Sequence, residues 1–535
     1  MKKNETRILK AAGAIMLAGG VIITNTALAD SSDFDASLSG YVRTTAAISL
    51  DNHSETSTNE TGKLTMLRGT VYLDLDVTTG PLTWKAVGRF DQEYQTDYLD
   101  DLDDLTQLQS PGGNSSNGNF MDAYNTNHIG EFLREFYVEF AITDKLDLRL
   151  GKQQLVWGES DFFQAMDVVG GYDYRWRLFF ENNEEWRKPL IMANFNLDLY
   201  EEMGGNLNFY IRPGWDRDED MGSNYNIEGG RWIPHPYRGV DFTAFTKAYQ
   251  TDHKDGDWDD PTYGIRWDGT TDSIGYSLAY VKTFNAAPIM NPSSSGVPGA
   301  FGATPNSFYG EEPENQVLGD WIYPEIDVFG LTVNGYSSTL NSTLSAEISY
   351  TPDRPYNYGE LDSSLPGWGG VIEKDTIVTM FRIDKELRLM DWLGTNRPSL
   401  SSIQLFDTYI IDYDRNDEIV EFASFGAPKK EHTTYLTIFS LLQFNRDTIQ
   451  PSFVAGWDLS NGGGFAIAGV EFVMGDNWRL KVEADLFFGD DAKQPTGTNP
   501  DGSHFNPLGI SENSAAFFDW FSEDDQLVIK LTRQF

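Results

Sequence analysis

The chain has no cysteine in its 535 residues. This removes disulfides, thiolate nucleophiles and thiolate metal ligands together. Histidine is scarce and scattered: His53, His128, His235, His253, His432 and His504. No Gly-x-Ser-x-Gly elbow accompanies them, so the reading is of a non-enzyme, with a barrel hydrolase the least favoured alternative. Positive charge is in short supply as well, 40 Lys and Arg against 81 Asp and Glu, for a formal charge of -41. A polyanion such as nucleic acid would be repelled and is excluded as a partner. No phosphate-cradling Gly-rich loop and no repeat at propeller period occurs. Beyond the N-terminus no apolar run approaches the roughly 20 residues that a helical membrane span needs.

At the N-terminus, Lys2, Lys3, Arg7 and Lys10 precede the apolar run Ala11 to Ile23, and Ala27-Leu28-Ala29 follows. That order is a secretory signal peptide over 1–29, with cleavage expected before Asp30. The leader carries four basic residues against Glu5, so the exported part, 30–535, is three units more acidic than the whole.

What the chain has in abundance is alternation. Val71, Leu73, Leu75 and Val77 alternate with Tyr72, Asp74 and Asp76. Beyond the turn Thr79-Gly80-Pro81 the pattern resumes over Leu82 to Tyr94, giving a hairpin. The spacing predicts further strands at 36–51, 131–143, 146–154, 190–200, 205–213, 240–250, 261–267, 273–284, 324–336 and 339–350. The same pattern continues at 376–388, 401–413, 432–445, 448–458, 464–474, 478–488 and 526–535. Between them, tight turns alternate with long stretches rich in Gly, Pro, Asn and Asp. One of these, Asp97 to Asn127, reads as a long exposed loop without a period of its own.

Successive strands of nine residues or more match a tilted crossing of a bilayer better than a soluble sandwich. Aromatics near strand ends, including Tyr41, Trp84, Trp267, Trp457 and Trp478, match an interfacial girdle. The reading is therefore all-β: a closed antiparallel transmembrane β-barrel of about 16 strands, within 14–18, in a bacterial outer membrane. In the last strand Leu527, Ile529, Leu531 and Phe535 share one face, similar to the assembly signal of such barrels, although Arg533 stands where an apolar residue is usual. The surroundings expected for it are outer-membrane lipid, lipopolysaccharide and the barrel assembly machinery.

One stretch breaks the alternation. Between the strands ending near Gln154 and beginning near Pro189 lies Trp157 to Lys188, rich in rings and in both signs of charge. It is too polar for a core and too aromatic for an ordinary loop, so it is predicted to fold inward, with Gly158 supplying the bend. Trp157, Glu159, Asp161, Phe162, Phe163, Asp167, Arg175, Trp176, Arg177, Trp186 and Arg187 are the candidate site. They form either a salt-bridged structural plug or a constriction whose rings touch an apolar solute. Charges withdrawn from water must be paired in both cases. No metal site and no cofactor is expected; the acidic clusters Asp100–Asp104, Asp216–Asp220 and Asp252–Asp260 lack the full register of a calcium loop and read as solvated charge.

Leu150-Gly151-Lys152-Gln153-Gln154, Trp157-Gly158-Glu159-Ser160, Met166-Asp167-Val168-Val169 and Arg187-Lys188-Pro189-Leu190 together carry a resemblance. They are similar to the central signature of the proteobacterial outer-membrane family known as domain-of-unknown-function thirteen hundred and two. Ser39-Gly40-Tyr41-Val42-Arg43 and Ala346-Glu347-Ile348-Ser349-Tyr350 extend the likeness over most of the exported chain. The resemblance implies a barrel that moves lipid-like or hydrophobic compounds, working with a periplasmic partner and an inner-membrane exporter that supplies the energy. The alternative is a porin for small hydrophilic or cationic solutes.

Overall fold

The computed structural model describes residues 34–53, 58–109, 120–160, 163–178, 180–181, 183–216, 220–233, 238–239, 261–292, 319–359, 367, 369–421, 427–489 and 517–535. The expected signal peptide and the strand expected at 240–250 lie outside them.

The first nine strands of the wall are β1 (Phe34–Ser49), β2 (Leu64–Thr79), β3 (Leu82–Glu93), β4 (Leu133–Thr143), β5 (Leu146–Gln153), β6 (Leu190–Asp198), β7 (Gly205–Arg212), β8 (Thr262–Thr271) and β9 (Ile274–Phe284). The other nine are β10 (Glu325–Ser337), β11 (Ser342–Tyr358), β12 (Gly370–Leu387), β13 (Ser399–Ile410), β14 (His432–Leu441), β15 (Ile449–Asp458), β16 (Gly464–Met474), β17 (Trp478–Phe488) and β18 (Gln526–Gln534). Each pairs antiparallel with the next. β18 returns to β1, Tyr41 opposite Gln534 and Ser49 opposite Gln526, so the sheet has no free edge.

The ring has 18 strands rather than about 16. Eighteen is the upper end of the expected range of 14–18, and eight-residue β5 and β7 are full members of the wall.

Side chains sort by face as the pleat requires. On β13, Ile403 and Leu405 stand exposed while Ser402, Gln404 and Phe406 are buried; on β12, Phe381 is exposed and Met380 buried. In a closed ring the buried set faces inward, and the exposed set is an apolar outer belt. A wall of this kind, apolar outside and polar within, is a bacterial outer-membrane barrel.

Connections are short at one end, such as Asp144-Lys145 between β4 and β5, and long at the other. The long connection after β3 corrects one expectation. Residues Asp97–Gln109 form helix α1, which buries Tyr98, Leu99, Leu102 and Leu105. Those positions make a helical stripe that the surrounding aspartates hid.

Candidate functional site

The segment between β5 and β6 starts where the wall lets go. Gln153, fully buried, donates its amide to the carbonyls of Arg149, Gly151 and Met192 and so fixes the end of β5. Trp157 then lies against β7 and β8: its indole N–H donates to Asn208 at 3.1 Å, its ring meets Tyr210 edge-on, and its carbonyl accepts from Arg266 at 2.7 Å. Gly158 is not a left-handed bend; a Cβ there would come within 2.9 Å of Asp167, so its service is close approach. The Glu159 backbone N–H donates to Glu347 of β11, its carboxylate accepts from Asn334 of β10 at 2.5 Å, and its carbonyl accepts from Arg382 of β12 at 3.0 Å. Phe163 stacks on Tyr435 of β14 at 4.5 Å and meets Phe406 of β13 edge-on. Asp161 and Phe162 lie outside the described residues.

The chain then turns back. Arg187 binds Asp167, and the Tyr172 hydroxyl donates to the same carboxylate at 2.7 Å. Burial pushes the Tyr172 phenol well above its ordinary range, and the Asp167 charge adds to it. Three short runs form a ladder: Asp173 N–H to the Trp186 carbonyl, Lys188 N–H to that of Gly171, Asn224 N–H to that of Tyr172 and Tyr174 N–H to that of Asn224. Lys188 seals the corner, its ammonium donating to the carbonyls of Met221 and Gly222 and to Asn224.

The remaining charges bolt this ladder to the wall. Arg177, without solvent exposure, meets Glu181 and reaches Glu483 and Asp485 of β17. Lys530 of β18 binds Glu181 at 2.8 Å, and Arg43 of β1 binds Glu185 at 3.0 Å. Burial by itself would raise the Glu181 carboxyl; Lys530, Arg177 and Arg43 outweigh it and hold the group well below the carboxylate range. Trp176 lies under the guanidinium groups of Arg68 (4.0 Å) and Arg89 (5.0 Å). From the connection after β7, Trp232 donates its indole N–H to the Trp176 carbonyl at 2.5 Å.

The ladder has two unlike sides. Tyr172, Tyr174, Leu178 and Trp186 face a cavity of about 270 Å³ whose walls include Phe163, Tyr225, Trp232, Phe406, Tyr435, Phe517 and Phe521. Asp173, Arg175, Trp176 and Lys188 face a second cavity, of about 110 Å³, lined by Arg68, Arg89, Arg134, Lys152, Glu185 and Asp220. Over 172–175 alternation puts Tyr172 and Tyr174 on one side and Asp173 and Arg175 on the other. Arg175 makes its ion pair locally, with Asp173 at 2.8 Å; burial would raise the Asp173 carboxyl, but that guanidinium holds it at about 2.

Of the predicted residues, the structure gathers Asp167 with Arg187, and Arg177 with wall acids that the sequence did not single out. Trp157, Glu159 and Phe163 go to three other sectors of the wall. Leu527, Ile529, Leu531 and Phe535 lie on the closing strand β18 and its end, with Leu531 and Phe535 exposed; Arg533 lies over the Trp478 ring at 5.8 Å. The acidic clusters disperse: Asp216 binds Arg212, Asp220 binds Lys152, and 252–260 lies outside the described residues. His53, His128 and His432 each meet an acid, Asp524, Glu131 and Asp407. The residues missed were Glu483, Asp485 and Lys530, which read in sequence as the wet half of ordinary strands. Their signal is three charges on facing rows of neighbouring strands, too costly to bury without a partner from elsewhere.

A family model described as "Protein of unknown function (DUF1302)" matches residues 10–535. No curated protein matches the chain. Among solved structures, the outer membrane channel DcaP of Acinetobacter baumannii is 10% identical over 95% of this chain and 99% of its own, with a TM-score of 0.38. OccAB3 of the same organism is 8% identical, covering 94% and 99%, with a TM-score of 0.43. A BenF-like porin from Pseudomonas fluorescens Pf-5 is 9% identical, covering 94% and 98%, with a TM-score of 0.42.

Proposed function

For a chain that belongs to the DUF1302 family of proteins of unknown function, we propose a conduit for lipid-like or other hydrophobic compounds across the outer membrane. The segment Trp157 to Lys188 acts as its constriction. The observation that carries this reading is the ring-lined cavity beside the ladder, walled by eleven aromatic side chains and only four charged ones. Other apolar clusters inside the ring are packed shut, whereas this one faces open space, and apolar surface of that extent favours an apolar guest at about 25 cal/mol per Å² transferred from water. No described part of the chain offers an energy source, so the driving force comes from an inner-membrane partner through a periplasmic one.

The smaller cavity favours the second reading, a porin for small hydrophilic solutes. Its lining is rich in arginine and lysine matched by acids, which suits polar solutes better than a purely acidic lumen would. The two readings separate on one probe. The full barrel in nanodiscs is expected to bind N-phenyl-1-naphthylamine saturably above the empty-nanodisc background, and Phe163→Asp is expected to abolish the excess. A signal equal to that of empty nanodiscs overturns the conduit.

A further inference from the structure

The ring-lined cavity has four charged residues in its wall: Asp167, Arg354, Glu421 and Lys429. Three are spoken for. Asp167 is held by Arg187 and Tyr172, and Glu421 by Lys429. Arg354, on β11, is different. Among the described residues no carboxylate is in ion-pair contact with it, and its buried Nε makes no hydrogen bond. Its guanidinium carbon lies 5.5 Å from the centre of the Tyr356 ring. In a chain with two acids for each base, a cation that faces an aromatic cavity with no ion pair among the described residues is conspicuous. Burying a guanidinium donor without an acceptor costs free energy that a guest acceptor would return.

Resting on the conduit reading, we propose that the guest is an amphipathic anion: an apolar body seated against Phe163, Tyr174, Phe406 and Tyr435, with a single carboxylate bound by Arg354. Arginine presents a planar fork that matches a carboxylate in two parallel hydrogen bonds. Lys429 and Glu421 pair with each other, which leaves Arg354 the charge without an ion pair among the described residues of this wall. A neutral hydrocarbon would leave Arg354 as it stands, and a dianion would find no second free cation among the described residues of this wall. The carboxylate could be carried by a free aromatic acid or by an acyl chain; the chemistry at Arg354 is the same.

The test uses the full barrel in nanodiscs, with 2-naphthoate, its methyl ester and dodecanoate as probes, each titrated against empty nanodiscs. Arg354→Gln is expected to weaken both acids at least about tenfold and to leave the ester unchanged. Arg354→Lys is expected to recover part of the loss. A heat-modifiable electrophoretic shift checks that each variant is folded. Whichever acid binds more tightly identifies the body as ring or chain. Equal acid binding by wild type and a folded Arg354→Gln overturns the assignment and leaves the conduit standing. Failure of naphthoate, ester and N-phenyl-1-naphthylamine alike overturns the conduit itself.

Discussion

Arg177, on the segment between β5 and β6, meets Asp485 of β17 at 3.0 Å, and neither side chain has any solvent exposure. An arginine from a loop and an aspartate of the wall, 308 residues apart in sequence, are thus joined where water cannot compensate either charge. The pair defines how the segment is held.

Removal of one member of such a network leaves the other charged and buried, at a cost of about 3–5 kcal/mol. Arg177→Met leaves Glu483 with Lys530 and Lys481 but takes from Asp485 its only basic partner among the described residues. The expected outcome is a released segment on an intact wall. Amide exchange across 172–188 should rise steeply while the strands stay protected and the heat-modifiable shift persists. Arg177→Met/Asp485→Asn should regain part of the protection. Unchanged exchange in Arg177→Met contradicts the network's role.

Gly171 has a steric duty. A Cβ at this position would sit 1.7 Å from the backbone oxygen of Gly222, and backbone cannot step aside as a flexible side chain can. Gly171→Ala is therefore expected to part the 171–174 run from 222–224, at about 1–3 kcal/mol by the usual cost of overpacking. Exchange at the Asn224 and Tyr174 amides reports it, and a variant with wild-type protection at both shows that the ladder does not depend on that approach.

The wall alternation, the closing strand and the odd character of Trp157 to Lys188 were all legible in the sequence, because each is a local pattern with a physical cause. Asp167 and Arg187 could be picked out, since unlike charges in an aromatic stretch need each other. Glu483, Asp485 and Lys530 could not. A charged residue on the wet face of a strand has the same local sequence whether it meets water or a buried arginine. Helix α1 was hidden for a related reason, its aspartates masking the stripe of Tyr98, Leu99, Leu102 and Leu105. The two-sided ladder was out of reach because its third run, at Asn224, comes from another loop.

Asp525, just before β18, gives the pH dependence. Burial pushes its carboxyl up to about 6, aided by the charges of Asp51 and Asp485 and opposed by the Phe487 N–H that donates to it at 2.6 Å. Its folded pKa lies above the unfolded value of about 3.9, so the native state holds the extra proton between roughly pH 4 and 6. The contribution is fully present below about pH 4 and is lost as pH rises through 6. Asp525→Asn keeps the acceptor for Phe487 and removes the titration. The melting temperature of wild type relative to Asp525→Asn should fall across pH 4 to 7 in detergent; parallel curves contradict the assignment.

The ladder and its wall contacts reach from Asn208 and Arg266 on one side to Tyr435, Asp485 and Lys530 on others, so the segment crosses the interior instead of lining one side of it. Single-channel recording in planar bilayers measures this directly. The wild-type barrel is expected to stay closed to small ions, and a barrel in which a short glycine-serine linker replaces Trp157 to Lys188 is expected to show stable ohmic steps. Large ohmic steps from the wild type, or a linker variant that folds and stays closed, would contradict a constriction built from this segment.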